Sequence, residues 1–409
     1  MTAQFRCRSC DGVEFYPVVS LGDTPLANAL LGADDLLSAE DRFPLVVVGC
    51  RECSLVQITE TVPPERLFRH YAYFSSFSDT MLDHASRLVS SLVAERSLGA
   101  GSLAMEVASN DGYLLQQYLS RGVPVLGIEP AQNIAAVARD RGIDTITEFF
   151  GAATAASLAA GGRFADVLHA HNVLAHVPDL RGFVEGVRLV LAPAGIAVIE
   201  VPYVKELLDR CEFDTIYHEH LSYFSLTALG RLWRAGGLRI VNVERVAIHG
   251  GSLRLFIEHD RGQAPSPAVA ALLAEEEGWG VREAATYAQF GERVAALGRE
   301  LTATLRRLKD EGARIAAYGA AAKGSTLLNV FGLDGSLIDF VVDRSPHKQG
   351  RYMPGVHLPI YPPAHLLATQ PEYVLLLSWN VADEVLTQQA EYRGRGGHFI
   401  VPVPTVRIV

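Results

Sequence analysis

From residue 81 onward the apolar positions of this chain switch between helical and strand spacing. MLDHASRLVSSLVAERS (81–97) predicts a helix. LAMEVASNDGYLLQQYLSRG (103–122) then reads as strand, glycine-ended turn and helix, and VPVLGIEPAQNIAAVARDRG (123–142) repeats that unit. Further strands are predicted in ADVLHAHNVL (165–174) and GIAVIEVPYV (195–204), with a helix over FVEGVRLVLAPAG (183–195) between them. This alternation predicts an α/β fold with a mostly parallel, doubly wound sheet, whose ligands sit at the carboxyl ends of the strands. HGGSLRLFIEHD (249–260) reads as a closing strand, and residues 267–311 as a charged helical connector. The α/β rhythm returns in RIAAYGAAAKGSTLLNVFG (314–332), LIDFVVD (337–343) and EYVLLLSW (372–379), which predicts a second, smaller Rossmann-like domain.

The region before residue 80 has a different character. Cys7-Arg-Ser-Cys10 and Cys50-Arg-Glu-Cys53 form two C-x-x-C pairs, and two thiolates from each complete a closed tetrahedral zinc site. A closed site is structural, because a catalytic zinc keeps an open position. The spacing between the pairs requires an inserted loop, placed over LGDTPLANALL (21–31). At 409 residues the chain is long enough for two or three domains. The division expected is 1–75 for a four-cysteine zinc-binding domain, 76–262 for the first α/β domain, and 263–409 for the connector and second α/β domain.

Charge narrows the choice of partner. A formal charge of -10 repels nucleic acid and anionic membranes, so an anionic ligand needs a local pocket. MTAQFRCRSCDG lacks the basic and apolar parts of a signal peptide, and no stretch approaches about 18 uninterrupted apolar residues. A cytoplasmic location is expected, with no partner protein implied.

Three stretches carry candidate chemistry. EVASNDG has the acid-x-G-x-G-x-G spacing of S-adenosylmethionine (AdoMet) methyltransferases over Glu106, Ala108, Asn110 and Gly112, with alanine and asparagine in place of two glycines. Small residues there let a ligand approach the backbone, whereas a pyrophosphate would be harder to seat. Glu129 ends the next strand, where a carboxylate can accept ribose hydroxyls. HAHNVLAHV ends another strand, putting Asn172 towards a cofactor and His176 towards a substrate. TIYHEHLSYFS (215–225) is open to three readings: a metal site, a general-base cluster or a polar loop. Neighbours in a strand alternate faces, which makes a zinc site from His218, Glu219 and His220 poor, although the two histidines could share a face. A solvated loop has no need of two histidines flanked by Tyr217, Tyr223 and Phe224, and the acid–base cluster is the reading preferred.

Together with HYAYFSSFSDT (70–80), HGGSLRLF and YGAAAKGSTLLN, these motifs run in one order along nearly the whole chain. In that order the chain resembles the sugar C-methyltransferase family of deoxysugar biosynthesis, which methylates C-3 of dTDP-linked 4-keto-6-deoxysugars. The resemblance implies an N-terminal zinc domain, a middle AdoMet domain and a C-terminal domain contributing the sugar-nucleotide site. Carried over by position, His220 is the base, with Tyr217, Glu219, His176 and Tyr71 as its active-site neighbours. Tyr71, Phe74 and His176 would surround the sugar, and Lys323, Ser325 and Thr326 the diphosphate. A C-4 ketone acidifies the C-3 proton, so an imidazole can remove it if hydrogen bonds stabilise the enolate. An O- or N-methyltransferase on a sugar nucleotide, and a noncatalytic zinc-containing nucleotide-binding protein, remain the alternatives.

Overall fold

The computed structural model describes residues 5–68, 76, 79–247 and 250–409; Tyr71, Phe74 and His249 lie outside the described residues. Three sheets organise the chain. The first is antiparallel, in the order Phe15–Pro25, Arg42–Cys50, Val56–Ile58 and Ser222–Tyr223. Its fourth strand belongs to TIYHEHLSYFS, which pairs Val56 with Tyr223 and Gln57 with Ser222. The proposed loop over 21–31 begins later than expected, because the first strand continues through register shifts to Pro25. Only from Leu26 does the chain leave the sheet.

The middle sheet has seven strands, in the order Leu238–Val246, Ser252–His259, Leu191–Pro202, Ala165–His171, Ala104–Val107, Val125–Ile128 and Thr145–Ile146. Its five earlier strands are parallel, and the last two close one edge as an antiparallel hairpin. Leu238–Val246 is not apparent in the sequence reading, since half its residues are only partly buried and its apolar alternation is broken by Asn242, Glu244 and Arg245. The helix expected over 183–195 stops at Val190, and LAPAG opens the following strand instead. Proline at 193 lacks the N–H that a helix interior requires.

Buried ion pairing locks this sheet to the helix Asp79–Glu95. Arg254 faces Glu200 across neighbouring strands, with its Nε donating to Oε1 at 2.7 Å, and His84 from the helix meets the same carboxylate at 2.9 Å. Burial opposes ionisation of Glu200, but His171, His84 and Arg254 hold its carboxyl well below the ordinary range.

The third sheet orders Ile360–Tyr361, Val341–Val342, Ile315–Tyr318, Tyr373–Leu376, His398–Val401 and Arg407–Ile408, parallel except for the last strand. The helices Pro267–Trp279, Ala284–Ala288 and Phe290–Asp310 connect it to the middle sheet. No described helix is long and apolar enough to cross a membrane.

Helix Leu226–Ala235 shows how the segment carrying TIYHEHLSYFS is held. Ser225 caps it, accepting the Ala228 N–H, and the buried Glu276 carboxylate accepts the N–H groups of Leu226 and Thr227, both at 2.7 Å. Such a cap contributes about 1 kcal/mol. Leu226, Leu229, Leu232 and Trp233 then bury one face at helical spacing. The segment is fixed at its far end by this helix and before it by pairing with the first sheet.

Candidate active site and metal centre

One cavity of about 820 Å³ lies where the three sheets converge. It opens at the carboxyl ends of the middle strands, between Ala104–Val107 and Ala165–His171, which are adjacent in the sheet although far apart in sequence. A doubly wound sheet presents its ligand site at that switch point.

The turn after Ala104–Val107 takes left-handed backbone at Ala108 and Asn110, both with φ of 50°. These are the positions where glycine was expected, and the conformation accounts for that expectation. Gly112, at φ 80°, cannot be replaced without strain, as a Cβ there would lie 2.8 Å from Ile143. Ala108 and Asn110 line the cavity, while Glu106 lies beneath the turn, fully buried. Burial, reinforced by Glu129 and Asp111, pushes the Glu106 carboxyl well above its ordinary value.

Glu129 lines the same wall. Its Oε2 accepts the Asn110 N–H and its Oε1 the Ala131 N–H, each at 2.9 Å. Each carboxylate oxygen keeps a further lone pair, so the orientation suits acceptance of two ribose hydroxyls. Asn172, at φ 56°, completes the wall; its N–H donates to Glu200 O at 2.8 Å, and its buried Oδ1 has no hydrogen-bond partner among the described residues. With Phe149 and Phe150 beside them, these residues fit a nucleoside-bearing group: two hydroxyl acceptors, an orphaned amide oxygen and an apolar flank.

TIYHEHLSYFS supplies the opposite side. Thr215 O faces His220 Nδ1 at 2.8 Å, and because a carbonyl only accepts, that nitrogen carries the proton. Nε2 is then the basic nitrogen, 3.0 Å from the Tyr217 hydroxyl. Tyr217 and His176 pack on the His220 ring at centroid distances of 4.1 and 4.7 Å. His176 Nδ1 donates to Glu219 O at 2.7 Å, and burial holds the His176 imidazole down at about 4, hence neutral. Glu219 is buried against the cavity, and burial pushes its carboxyl up to about 7 although Asn28 opposes this.

His218 does not join this group. It is 1% exposed and directs Nε2 at Pro44 O of the first sheet at 3.1 Å. Residues 216–220 form a turn rather than a strand, so positions two apart do not share a face.

The C-terminal domain closes the cavity with Ala321, Ala322, Lys323 and Lys348. Lys323 Nζ sits 4.8 Å above the Trp379 ring. Burial lowers the pKa of this ammonium, while Asp214 and Glu212 oppose that shift. Ser325 and Thr326, expected near the diphosphate, are both buried, and neither is among the residues lining the cavity. A helix turns about 100° per residue, so two steps beyond Lys323 the Ala322–Phe331 helix faces its own core. The Thr326 hydroxyl instead donates to Ala322 O.

Sequence reasoning missed Asn28, Glu212, Asp214, Thr215 and Lys348. Asp214 accepts the Trp379 indole N–H at 2.6 Å, and burial raises the Glu212 and Asp214 carboxyls to about 8 and about 6. Lys348 follows the short strand Val341–Val342, and a loop at the carboxyl end of a predicted parallel strand is the signal that could have found it. Thr215 opens TIYHEHLSYFS but acts through its carbonyl, which no side-chain pattern reveals, and Asn28, Glu212 and Asp214 carry no local pattern.

The cysteines form a separate centre. The Sγ atoms of Cys7, Cys10, Cys50 and Cys53 lie within 4.8 Å of one another, with Cys7 3.5 Å from Cys53 and Cys10 3.6 Å from Cys50. Four sulfurs about 2.3 Å from a common ion would stand at nearly these separations, so the cluster fits a tetrahedral zinc. Gln57 Nε2 donates to Cys7 Sγ at 3.2 Å and supports the ligand from outside.

Comparison with known proteins matches three family models to the chain. Family models match as a zinc binding domain over 7–68, a methyltransferase domain over 81–243 and a C-methyltransferase C-terminal domain over 247–404. The chain is 40% identical over 407 residues to C-methyltransferase NovU of Streptomyces niveus, spanning 98% of this chain and 96% of that one. Magnesium protoporphyrin IX methyltransferase of Synechocystis PCC 6803 is 14% identical over 44% of this chain and 79% of its own, with a TM-score of 0.34. The PH0226 protein of Pyrococcus horikoshii OT3, also 14% identical, covers 49% of this chain and 100% of its own at a TM-score of 0.36.

Proposed function

Since the chain belongs to the family of AdoMet-dependent C-methyltransferases with an N-terminal zinc-binding domain, we propose that its acceptor is a dTDP-linked 4-keto-6-deoxysugar, methylated at C-3. The observation that carries this reading is His220, tautomerically set by Thr215 O and basic at Nε2, in the same cavity as the Ala108–Glu129–Asn172 wall. Methylation at oxygen or nitrogen asks less of such a base, because a hydroxyl or amine already carries a nucleophilic lone pair. Methylation at carbon does need one.

Bound AdoMet supplies an electrophilic methyl group on sulfur, which only a carbon nucleophile generated on the acceptor can take up in a C-methylation. The chain's own part is to hold and to deprotonate. Glu129 and Asn172 hold the nucleoside end of the cofactor, with Ala108 and Asn110 letting it lie close to the backbone. His220 Nε2 takes the proton from the carbon beside the ketone, and the bonding pair of that C–H passes into an enolate. The Tyr217 hydroxyl, now 3.0 Å from Nε2, is placed to give its hydrogen bond to the enolate oxygen. Neutral His176 and the Glu219 carboxyl, protonated through much of the range below about 7, add no negative charge that would oppose enolate formation. Lys323 and Lys348 oppose the molecule's net charge where the diphosphate docks. We place the working units at 1–75, 76–262 and 263–409.

A C-4 ketone acidifies the protons on both of its neighbours, so regiochemistry is the point to test. The purified protein is incubated with AdoMet and a panel of dTDP-4-keto-deoxysugars with 3-amino or 3-hydroxy groups, and the products are analysed by mass spectrometry and NMR. A new methyl carbon on C-3 is expected. A methyl on C-5 would relocate the reaction to the other neighbour, a methyl on oxygen or nitrogen would replace the enolate chemistry, and no product despite cofactor binding would remove this acceptor class.

A further inference from the structure

The segment joining the two cysteine pairs is anchored on both sides of the cavity. It leaves the first sheet at Pro25 and returns at Arg42, so its ends belong to the two strands that frame the thiolate cluster. Leu31 and Tyr352 exchange backbone hydrogen bonds of 3.0 and 2.9 Å, an antiparallel bridge to the C-terminal domain. Glu40 accepts the Gly355 N–H at 2.9 Å and meets His357 Nε2 at 2.7 Å. Between these anchors, Leu26, Asn28, Ala29 and Leu30 line the cavity. Asn28 Nδ2 donates to Glu219 Oε1 at 2.7 Å, across 191 residues of sequence.

We propose that residues 26–41 form a strap through which the zinc-binding domain completes the acceptor site, and that Asn28 is a positioning residue which orients the Glu219 carboxyl towards a hydroxyl or amino group of the sugar. The inference rests on the acceptor reading above. An amide that engages Oε1 fixes the carboxyl plane and leaves Oε2 for a hydroxyl or amino group next to the reacting carbon. Without the amide, the carboxyl retains its burial but loses its orientation. Asn28 itself is exposed along the cavity, so it supports no core of its own, and its loss is not expected to unfold the chain.

The test is a double-mutant cycle on the zinc-loaded, full-length protein with Asn28→Ala, Glu219→Gln and the pair. Leu37→Ala, on the strap but 93% exposed, serves as the control. Asn28→Ala is expected to lower kcat/KM for the sugar nucleotide about tenfold, within the range for a lost hydrogen bond to a charged or polar group, with the AdoMet Kd and zinc content unchanged. In the Glu219→Gln background the same change is expected to cost much less, since both act through one carboxyl. A merely structural role would give additive losses, and those, or wild-type kinetics in Asn28→Ala, would overturn the proposal.

A substrate-free arm separates this inference from the acceptor reading. Carbon-13 carboxyl NMR, with the Glu219 signal assigned by its absence in Glu219→Gln, follows its titration in the free protein. The titratable groups lining the same cavity include His176, Glu212, Tyr217, His220, Tyr223, Lys323 and Lys348. Asn28→Ala should move the Glu219 midpoint upward by about half a unit or more, because a donor to the ionised form is lost. An unmoved midpoint overturns the strap contact even if every sugar is methylated. A moved midpoint with no sugar methylated leaves the contact standing and removes the acceptor class.

Discussion

His218 and His220 differ in what their ring nitrogens meet. The first spends Nε2 on Pro44 O in the neighbouring sheet, whereas the second has Nδ1 held by Thr215 O and its basic nitrogen towards the cavity. His220→Asn is therefore expected to lower methylation by at least about a hundredfold, the lower range for a general base, with the AdoMet Kd unchanged by calorimetry. His218→Asn should cost stability more than turnover. Three buried carboxyls near the site predict a pH dependence of stability. Burial raises Glu212 to about 8, Glu219 to about 7 and Asp214 to about 6, so the folded state holds these protons more tightly than the unfolded chain. Their contribution is full below the unfolded value and is lost as pH rises through the folded one. His171 and His176, depressed to about 4, act in the opposite sense, but only below about 6.5. The melting temperature should accordingly fall between about pH 6.5 and 8.5, and Glu212→Gln should flatten that fall. An unchanged slope in that variant would exclude Glu212 as a source. At this scale His220 and Glu129 were legible because they sit in dense or well-spaced motifs. Asn28 was not, since its meaning depends on a partner 191 positions away.

Among the elements, the first sheet connects metal to chemistry. Its second strand ends at Cys50, its third follows Cys53, and its fourth is Ser222–Tyr223, which begins two residues after His220. Structural zinc contributes on the order of 10 kcal/mol of folding free energy in small domains. Chelation, or Cys50→Ser with Cys53→Ser, should abolish methylation while the AdoMet Kd holds, because Ala108, Asn110, Glu129 and Asn172 all come from the middle domain. Joint loss of cofactor binding and activity would show instead that the metal supports the whole chain. Most of the parallel strands were legible from continuous apolar runs, but the short Thr145–Ile146 and Ile360–Tyr361 and the strand His398–Val401 were not. The edge strand Leu238–Val246 and the start of Leu191–Pro202 were not, as polar residues interrupt the former and the proline-containing LAPAG resembles a connection.

The molecule as a whole brings three sheets to one cavity, and AdoMet and the proposed acceptor should leave separate footprints. Hydrogen exchange with AdoMet is expected to protect 107–113, 128–131 and 171–173, and adding the sugar nucleotide to extend protection to 26–31, 215–220 and 320–324. Protection of both sets by AdoMet alone would contradict this partition. The order of the domains was legible from the change in apolar period and the cysteine pairs. Their interlocking was not, because pairing Gln57 with Ser222 and Leu31 with Tyr352 leaves no local periodicity.

The strap has a consequence for how this enzyme can change over generations. Its tip touches the acceptor side of the cavity and contributes none of the residues assigned to the cofactor wall. On the acceptor reading proposed above, insertions and exchanges between Leu26 and Asp41 are expected to alter which acceptor is taken while methyl-donor binding is inherited intact. A library confined to that stretch, screened for altered acceptor use at unchanged AdoMet Kd, is the direct check.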